Sequence, residues 1–444
     1  MPVSRIPLVI PEKLKEPVRS TSSNVDVTGL EIELRRTIEG EVGFDAGSKA
    51  LYATDGSNYR QVPIGVVIPK SREDAVQTVA ACRKFNAPLL SRGGGTSLAG
   101  QCCNIAVVMD WTKYLHNIVE LNPREKHARV EPGTICDTLR NAAKPYILTW
   151  GPDPATHDHC TFGGMLGNNS CGVHAQMAGK AADNVLSMEV LLYNGTQMAV
   201  GWMDDAEMER QIARGDRVGN IYAQLKSLRN RYSKLIEKRY PHIPRRVSGY
   251  NLDQLLPGED GCFNVARALV GSESTCVTIL QAKVRLVYSY PQRALLVLGY
   301  PSIYEAGDHI PEILQHKPIG FEGLDEVLIR NVKKKAMPQQ EDLSVLPEGK
   351  GWLVVEFGAG TREEATEQAQ RVMEALHGAN APTMKLYVEE REQQKVWDVR
   401  EAGLGATAFV PGESLTWEGW EDSAVPPDRV GNYLRDLRKL YDKY

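Results

Sequence analysis

The sequence has no GK[ST] tripeptide, no CxxC pair and no continuous apolar run long enough to span a bilayer. These absences exclude a P-loop, a zinc or iron–sulfur site built from this chain alone, and a spanning helix. Charge of one sign is also missing: 52 basic residues stand against 56 acidic ones, for a net charge of −4. With no basic stripe interleaved with aromatics, a nucleic-acid binder is not predicted. The N-terminus, MPVSRIPLVIPEKLKEPVRS, interrupts its apolar part with prolines and charges and reads poorly as a signal peptide. Eight cysteines lie scattered in apolar or glycine-rich contexts, which reads as reduced thiols in the cytoplasm. The apolar and charged fractions, 42% and 24%, are ordinary for a protein with a real core, and 444 residues suggest two to four domains.

What the sequence does have is glycine in two dense clusters. The first, PLLSRGGGTSLAGQ (88–101), runs from an apolar stretch into Gly93, Gly94 and Gly95, then Thr96, Ser97, Gly100 and Gln101. A backbone without Cβ atoms can turn its N–H groups inward and approach an anion closely. Arg92 and the two hydroxyls add donors, the set a pyrophosphate needs. A tight surface turn would have the same composition. The next strand-like run, 105–110, follows so soon that no crossover helix fits, whereas a parallel connection normally takes about a dozen residues or more. The spacing therefore argues against a strand–GxGxxG–helix dinucleotide site. The loop must grip its ligand without a helix N-terminus.

The second cluster is GPDPATHDHCTFGGMLGNNSCG (151–172). It reads as a long loop, and loops of that length are usually functional or disordered. Phe162, Met165 and Leu166 argue against disorder, and a ligand lying along the segment would explain its small side chains. His157 and His159 stand two apart with no third metal ligand evident, so no metal site is predicted.

Taken in order, residues 1–28 read as an extended arm, 30–38 as a short helix and 64–68 as a strand. Ser71 reads as the N-cap of a helix with Val76, Val79 and Cys82 on one face. A helix over 133–145 would place Ile135, Leu139 and Ala142 on one side. A strand over 186–193 leads into Asn194-Gly195, a hairpin signal, and 203–240 reads as charged helix. From about residue 286 a strand-then-helix pattern occurs twice, in LLVLGYPSIYEAGDHI and VEFGAGTREEATEQAQRVMEAL, predicting a second α+β domain.

Four motifs in order carry a family resemblance. PKSREDAVQTVAACRKFNAPLLSRGGGTSLAGQ (69–101) resembles the first FAD-binding loop of the FAD-linked oxidases of the vanillyl-alcohol-oxidase type, and 151–172 resembles their second. LVGSESTCVTIL (269–280) is similar to their GSEGTLG strand entry. WDVREAGLGA (397–406) and WEDSAVPPDRV (420–430) resemble the cap domain of D-2-hydroxy acid dehydrogenases. The chain most resembles the flavin part of long bacterial proteins that join it to an iron–sulfur module, dehydrogenases of D-lactate or D-2-hydroxyglutarate.

The resemblance implies an α+β protein. An N-terminal arm (1–40) would precede a two-lobed PCMH-type FAD-binding domain (41–285). A cap, the FAD-linked oxidase C-terminal domain (286–444), would follow and stop before the family's HxGxGxxH segment. Carried over position by position, the resemblance assigns FAD contacts to Arg92, Gly93, Gly94, Gly95, Thr96, Ser97, Gly100 and Gln101 in the first loop. In the second it assigns Pro152, Asp153, Cys160, Gly163, Gly164, Asn169 and Gly172, and in the third motif Glu273 and Val277. Arg400 matches the substrate-carboxylate clamp, a role suited to a guanidinium fork; an arginine paired with Asp398 or Glu401 would look the same in sequence. Thr96 stands where some relatives carry the histidine that links FAD covalently, which implies non-covalent FAD. Ser274 replaces the usual glycine of the third motif, and Trp420 stands where relatives have a lysine. The implied reaction is hydride transfer from a D-2-hydroxy acid to flavin N5, with electrons passed to an iron–sulfur module or another acceptor outside the chain. No residue here is a convincing base. Two other readings stay open: a flavin-binding fragment or subunit without independent catalysis, and an oxygen-using sugar or amine oxidase. Oligomerisation and a seat at the inner face of the membrane stay open too.

Overall fold

The computed structural model describes residues 25–378, 381–414 and 423–444; Trp420 lies outside them. The first unit is a four-stranded sheet in the order Glu41–Gly43, Gly65–Ile68, Val107–Asp110, Leu89–Arg92. Helix Arg72–Lys84 connects Gly65–Ile68 to Leu89–Arg92. Ser71 caps it by accepting the Asp74 N–H at 3.1 Å. Ala75, Thr78, Val79 and Cys82 form its buried face, with Val76 at the margin. Leu30 and Leu34 of helix Val27–Thr37 pack into the same core, and Val25 packs against it.

Leu89–Arg92 runs parallel to Val107–Asp110. The glycine loop and the turns after it, 93–106, make that crossover without a helix, where the spacing argument had left no room for a parallel connection. Gly95 and Gly100 take φ of +70° and +80°. Left-handed backbone of this kind lets the chain reverse in a length that side chains would not permit. The exclusion of a helix-based dinucleotide site is unaffected.

The second unit is a six-stranded antiparallel sheet in the order Phe263–Asn264, Gln197–Met203, Val185–Leu191, Thr278–Arg285, His127–Val130, Ile118–Asn122. Its core takes in Trp150, Phe162 and Leu166. Helix Cys136–Ala143 buries Leu139 as read from the sequence, but Cys136 and Ala143 in place of Ile135 and Ala142, because the helix begins later and Ile135 is its exposed cap.

The second glycine cluster departs further from expectation. Thr161 caps a helix, Phe162–Asn168, its Oγ1 accepting the Gly164 N–H at 3.3 Å. Gly163, Gly164 and Gly167 are poor helix formers. The helix is held by tertiary burial of Phe162, Met165 and Leu166, a term that local sequence does not contain. Asn169 ends it at φ +65°, a left-handed stop that asparagine tolerates.

The third unit is a four-stranded antiparallel sheet in the order Gly320–Asp325, Gly351–Ala359, Gln292–Tyr300, Thr383–Tyr387. Helices Ile303–Asp308 and Arg362–Ala375 cover one face, and Glu326–Lys334 and Glu390–Glu401 the other. The two central strands are buried on both faces, which explains their unbroken apolar runs. Glu356 is the exception within Gly351–Ala359, and only 1% of it is exposed.

Candidate functional site

Arg92 closes strand Leu89–Arg92 and organises the first glycine loop from behind. Its Nη1 donates to the carbonyls of Cys102 at 3.1 Å and Tyr52 at 3.4 Å, and its guanidinium lies over the Tyr52 ring. Residues 52–60 back the loop further: Gly56 N–H donates to Gly95 O at 2.9 Å, and Cys102 N–H to Asp55 Oδ2 at 3.1 Å. The loop meets the second cluster edge to edge. A Cβ on Gly94 would lie 2.4 Å from the His159 carbonyl oxygen, and one on Gly93 2.1 Å from Thr161 Oγ1. Glycine is required at 94 because two backbones touch, and at 93 because the capping Thr161 side chain fills the space.

The third motif completes this wall. Glu273 and Ser274 both hold left-handed backbone, at φ +45° and +64°. Ser274 thus occupies a conformation that favours the glycine it replaces. The Glu273 carboxyl accepts from Gln101 Nε2 at 3.3 Å and Asn168 Nδ2 at 3.4 Å, tying all three glycine-bearing segments together. Burial raises its pKa, and those two hydrogen bonds oppose the rise.

Between these segments and the third unit lies a cleft of about 500 Å³. Gly93 to Ser97, Gln101, Cys160, Gly164 and Asn169 line one side, and Glu322 and Arg400 the other. A narrower recess runs inward past Arg92, Gly163, Glu273 and Val277 to Ser91, Trp111 and Ile279. Gly100, Pro152, Asp153 and Gly172 lie outside both linings. Gly100 makes a turn against the Tyr59 ring, and Gly172 leaves space that the Asp153 carbonyl fills. Among the described residues, two buried polar atoms on these walls have no partner, Ser91 Oγ and Asn169 Nδ2. Asn169 itself is anchored, its Oδ1 accepting the Ala182 N–H at 3.0 Å. Exposed loop backbone, small side chains and orphaned buried polar atoms in a long bipartite cleft suit an extended cofactor with phosphates at its middle.

Arg400 sits near the end of helix Glu390–Glu401 and pairs with neither Asp398 nor Glu401. Its Nε donates to Glu322 Oε2 at 2.8 Å, and Nη2 reaches the same oxygen. The fork on the cleft wall therefore already holds a carboxylate. Glu322, Asn168 and Arg245 are lining residues that the sequence reading missed; only Asn168, beside Asn169, stood within a segment already singled out. His157 and His159 turn to different carboxylates. His157 Nδ1 contacts Asp137 at 2.7 Å and its Nε2 lies 3.7 Å from Glu401, while His159 meets Asp158. Glu401, and then Asp137, carry the His157 pKa up to about 9 against burial.

The fold and this cleft define an α+β protein in two parts, built around a site for one extended cofactor. A family described as "FAD binding domain" matches residues 63–201, and one described as "FAD linked oxidases, C-terminal domain" matches residues 290–444. The chain belongs to the FAD-linked oxidases. It is 30% identical over 420 residues to D-2-hydroxyglutarate dehydrogenase of Pseudomonas putida, covering 91% of this chain and 41% of that protein. It is 24% identical to glycolate oxidase subunit GlcD of Escherichia coli, covering 95% of this chain and 73% of the relative. The chain thus spans about 41% of the length of the D-2-hydroxyglutarate dehydrogenase it matches. Among solved structures, p-cresol methylhydroxylase superposes with a TM-score of 0.59 at 12% identity, covering 86% of this chain and 72% of that one. Alkyldihydroxyacetonephosphate synthase gives 0.58 at 15%, covering 85% and 64%. Both show the fold alone. Among the described residues, no helix is long and apolar enough to cross a membrane.

Proposed function

We propose that the chain oxidises a D-2-hydroxy acid, D-2-hydroxyglutarate or D-lactate, using non-covalently held FAD. The observation that carries this reading is one cleft with the glycine loops on one wall and Arg400 on the other. The loops bind and orient the cofactor. Thr96 and Ser97 line the cleft beside the loop backbone, and no protein side chain is needed to bond the ring system covalently. Arg400 exchanges Glu322 for the substrate carboxylate, fixing the α-carbon toward the cofactor; a bidentate fork does this better than a point charge. Held by these loops, FAD would supply the acceptor for the substrate hydride. The electron acceptor would be an iron–sulfur module or another acceptor outside these residues. The eight free cysteines suit a reducing compartment, and we place the chain in the cytoplasm, with a seat at the inner face of the membrane depending on that acceptor.

One observation favours a second reading, in which this chain binds cofactor and substrate but relies on another module for turnover. Before substrate binds, the carboxylates at the clamp are each engaged, Glu322 by Arg400 and Glu401 by His157, so neither is a free acceptor for the hydroxyl proton unless Arg400 releases Glu322. Anaerobic mixing of the FAD-loaded protein with D-2-hydroxyglutarate, D-lactate and their L enantiomers tests both. Bleaching of the flavin by a D acid alone establishes the first. A D-specific shift of the flavin spectrum without bleaching establishes the second. No spectral response to any acid sinks both.

A further inference from the structure

Behind Arg400 lies a second polar cavity of about 280 Å³, which meets the cleft at Ala155, Arg400 and Glu401. The FAD-binding part contributes Arg140, Asp153, His157 and His174 to its wall; the third unit contributes Arg293, Arg400 and Glu401. His174 is buried at the seam between them. Its Nδ1 meets Asp153, and its Nε2 lies 2.6 Å from Glu356 Oε2 on the strand Gly351–Ala359. Arg293, on the strand Gln292–Tyr300, reaches the same Glu356 oxygen at 3.1 Å. Arg140, on helix Cys136–Ala143, approaches Asp153 at 3.8 Å.

Both carboxylates are satisfied together when the imidazole carries two N–H groups. Arg293 Nη1 also lies 3.0 Å from His174 Nε2, and both groups converge on Glu356. Burial alone would push the His174 pKa down, but Asp153 and Glu356 outweigh it and carry it up to about 9. Burial pushes the two carboxyls up, and the neighbouring cations pull them down further. The link continues to the clamp: Gln393, on the helix that bears Arg400, donates to the Arg293 carbonyl at 2.9 Å. The 3.7 Å pair of His157 with Glu401 makes a second bridge between the same two parts.

We propose that His174 is a positioning residue: its bridge from Asp153 to Glu356 fixes the third unit over the flavin lobe and so sets the height of Arg400 above the cofactor. The consequence for substrate rests on the function proposed above; the bridge itself does not. The sign of the pH dependence follows from a raised histidine pKa. The bridge is at full strength below about pH 6.5, the ordinary histidine value, and is lost as pH rises through about 9.

Hydrogen exchange of the FAD-loaded protein reads the bridge without turnover. After correction for intrinsic rates, peptides covering 390–401 and 170–178 should exchange several-fold faster as pH passes about 9. The strand Thr278–Arg285, inside the flavin lobe, should not change. His174→Asn should exchange at the fast level at every pH, and Glu356→Gln, which keeps the side-chain shape, serves as a second variant with the same outcome. Both should raise KM for the hydroxy acid about tenfold and change FAD affinity less than twofold. Wild-type exchange without a pH step overturns the bridge. A KM unchanged in both variants, or FAD affinity lost in proportion to KM, overturns the positioning role. If wild type responds to no hydroxy acid, the substrate reading fails while the exchange step still decides the bridge.

Discussion

The two glycine clusters use the same residue for opposite purposes. In 93–106 glycine keeps the chain out of regular structure and lets it make a parallel crossover as a loop. In 161–169 the chain folds into a short helix despite three glycines, because Phe162, Met165 and Leu166 are buried. The first cluster is set by backbone conformation, the second by packing. The lesson is that glycine density marks where two backbones or a ligand come close, and does not say what secondary structure brings them there.

The sharpest way to break the comparison is Gly94→Val. The new side chain would meet backbone at 2.4 Å, so the two clusters must separate. We expect complete loss of FAD, read as absent absorbance near 450 nm after reconstitution, with stability lowered by about 1–3 kcal/mol as for overpacking elsewhere. Full flavin occupancy would show that the clusters do not need this contact. Arg400→Ala comes next. It should leave FAD bound but weaken the D-2-hydroxy acid by about 10–100-fold, corresponding to the roughly 1.5–3 kcal/mol of a hydrogen bond to a charged group; Arg400→Lys should recover only part. Titration of the flavin spectrum with substrate measures both, and unchanged affinity would remove Arg400 from the clamp.

Thr161→Ala tests whether packing alone holds the second cluster. Losing the cap should lower stability by about 1 kcal/mol, with a matching fall in the denaturation midpoint and weaker FAD binding; no change would mean that burial needs no help from the cap. The smallest effect is expected at Gly164→Ala. The added Cβ meets only Thr161 Oγ1, at 3.4 Å. Helix propensity should then gain up to about 1 kcal/mol, while the methyl group on the cleft wall weakens FAD modestly. A variant both less stable and unchanged in FAD affinity would reverse our account of this helix.

Local chemistry was enough to read much of this protein. The capping serine of helix Arg72–Lys84, the Asn194-Gly195 hairpin and the doubly buried strands of the third unit are written in short-range pattern, because caps, turns and apolar runs act within a few residues. The glycine loop was legible as a segment of close backbone approach for the same reason. Other features depend on partners far away in the chain. The shifted ends of the buried face of Cys136–Ala143 and the helix at Phe162–Asn168 were decided by what packs on them. Glu322 meets Arg400 across 78 residues, and nothing near Glu322 announces that. Glu356 did carry a signal, a single acid in an apolar strand, but its reason lies 182 residues away in His174. A buried charge is stable only beside its counter-charge, and only the tertiary structure decides where that partner comes from.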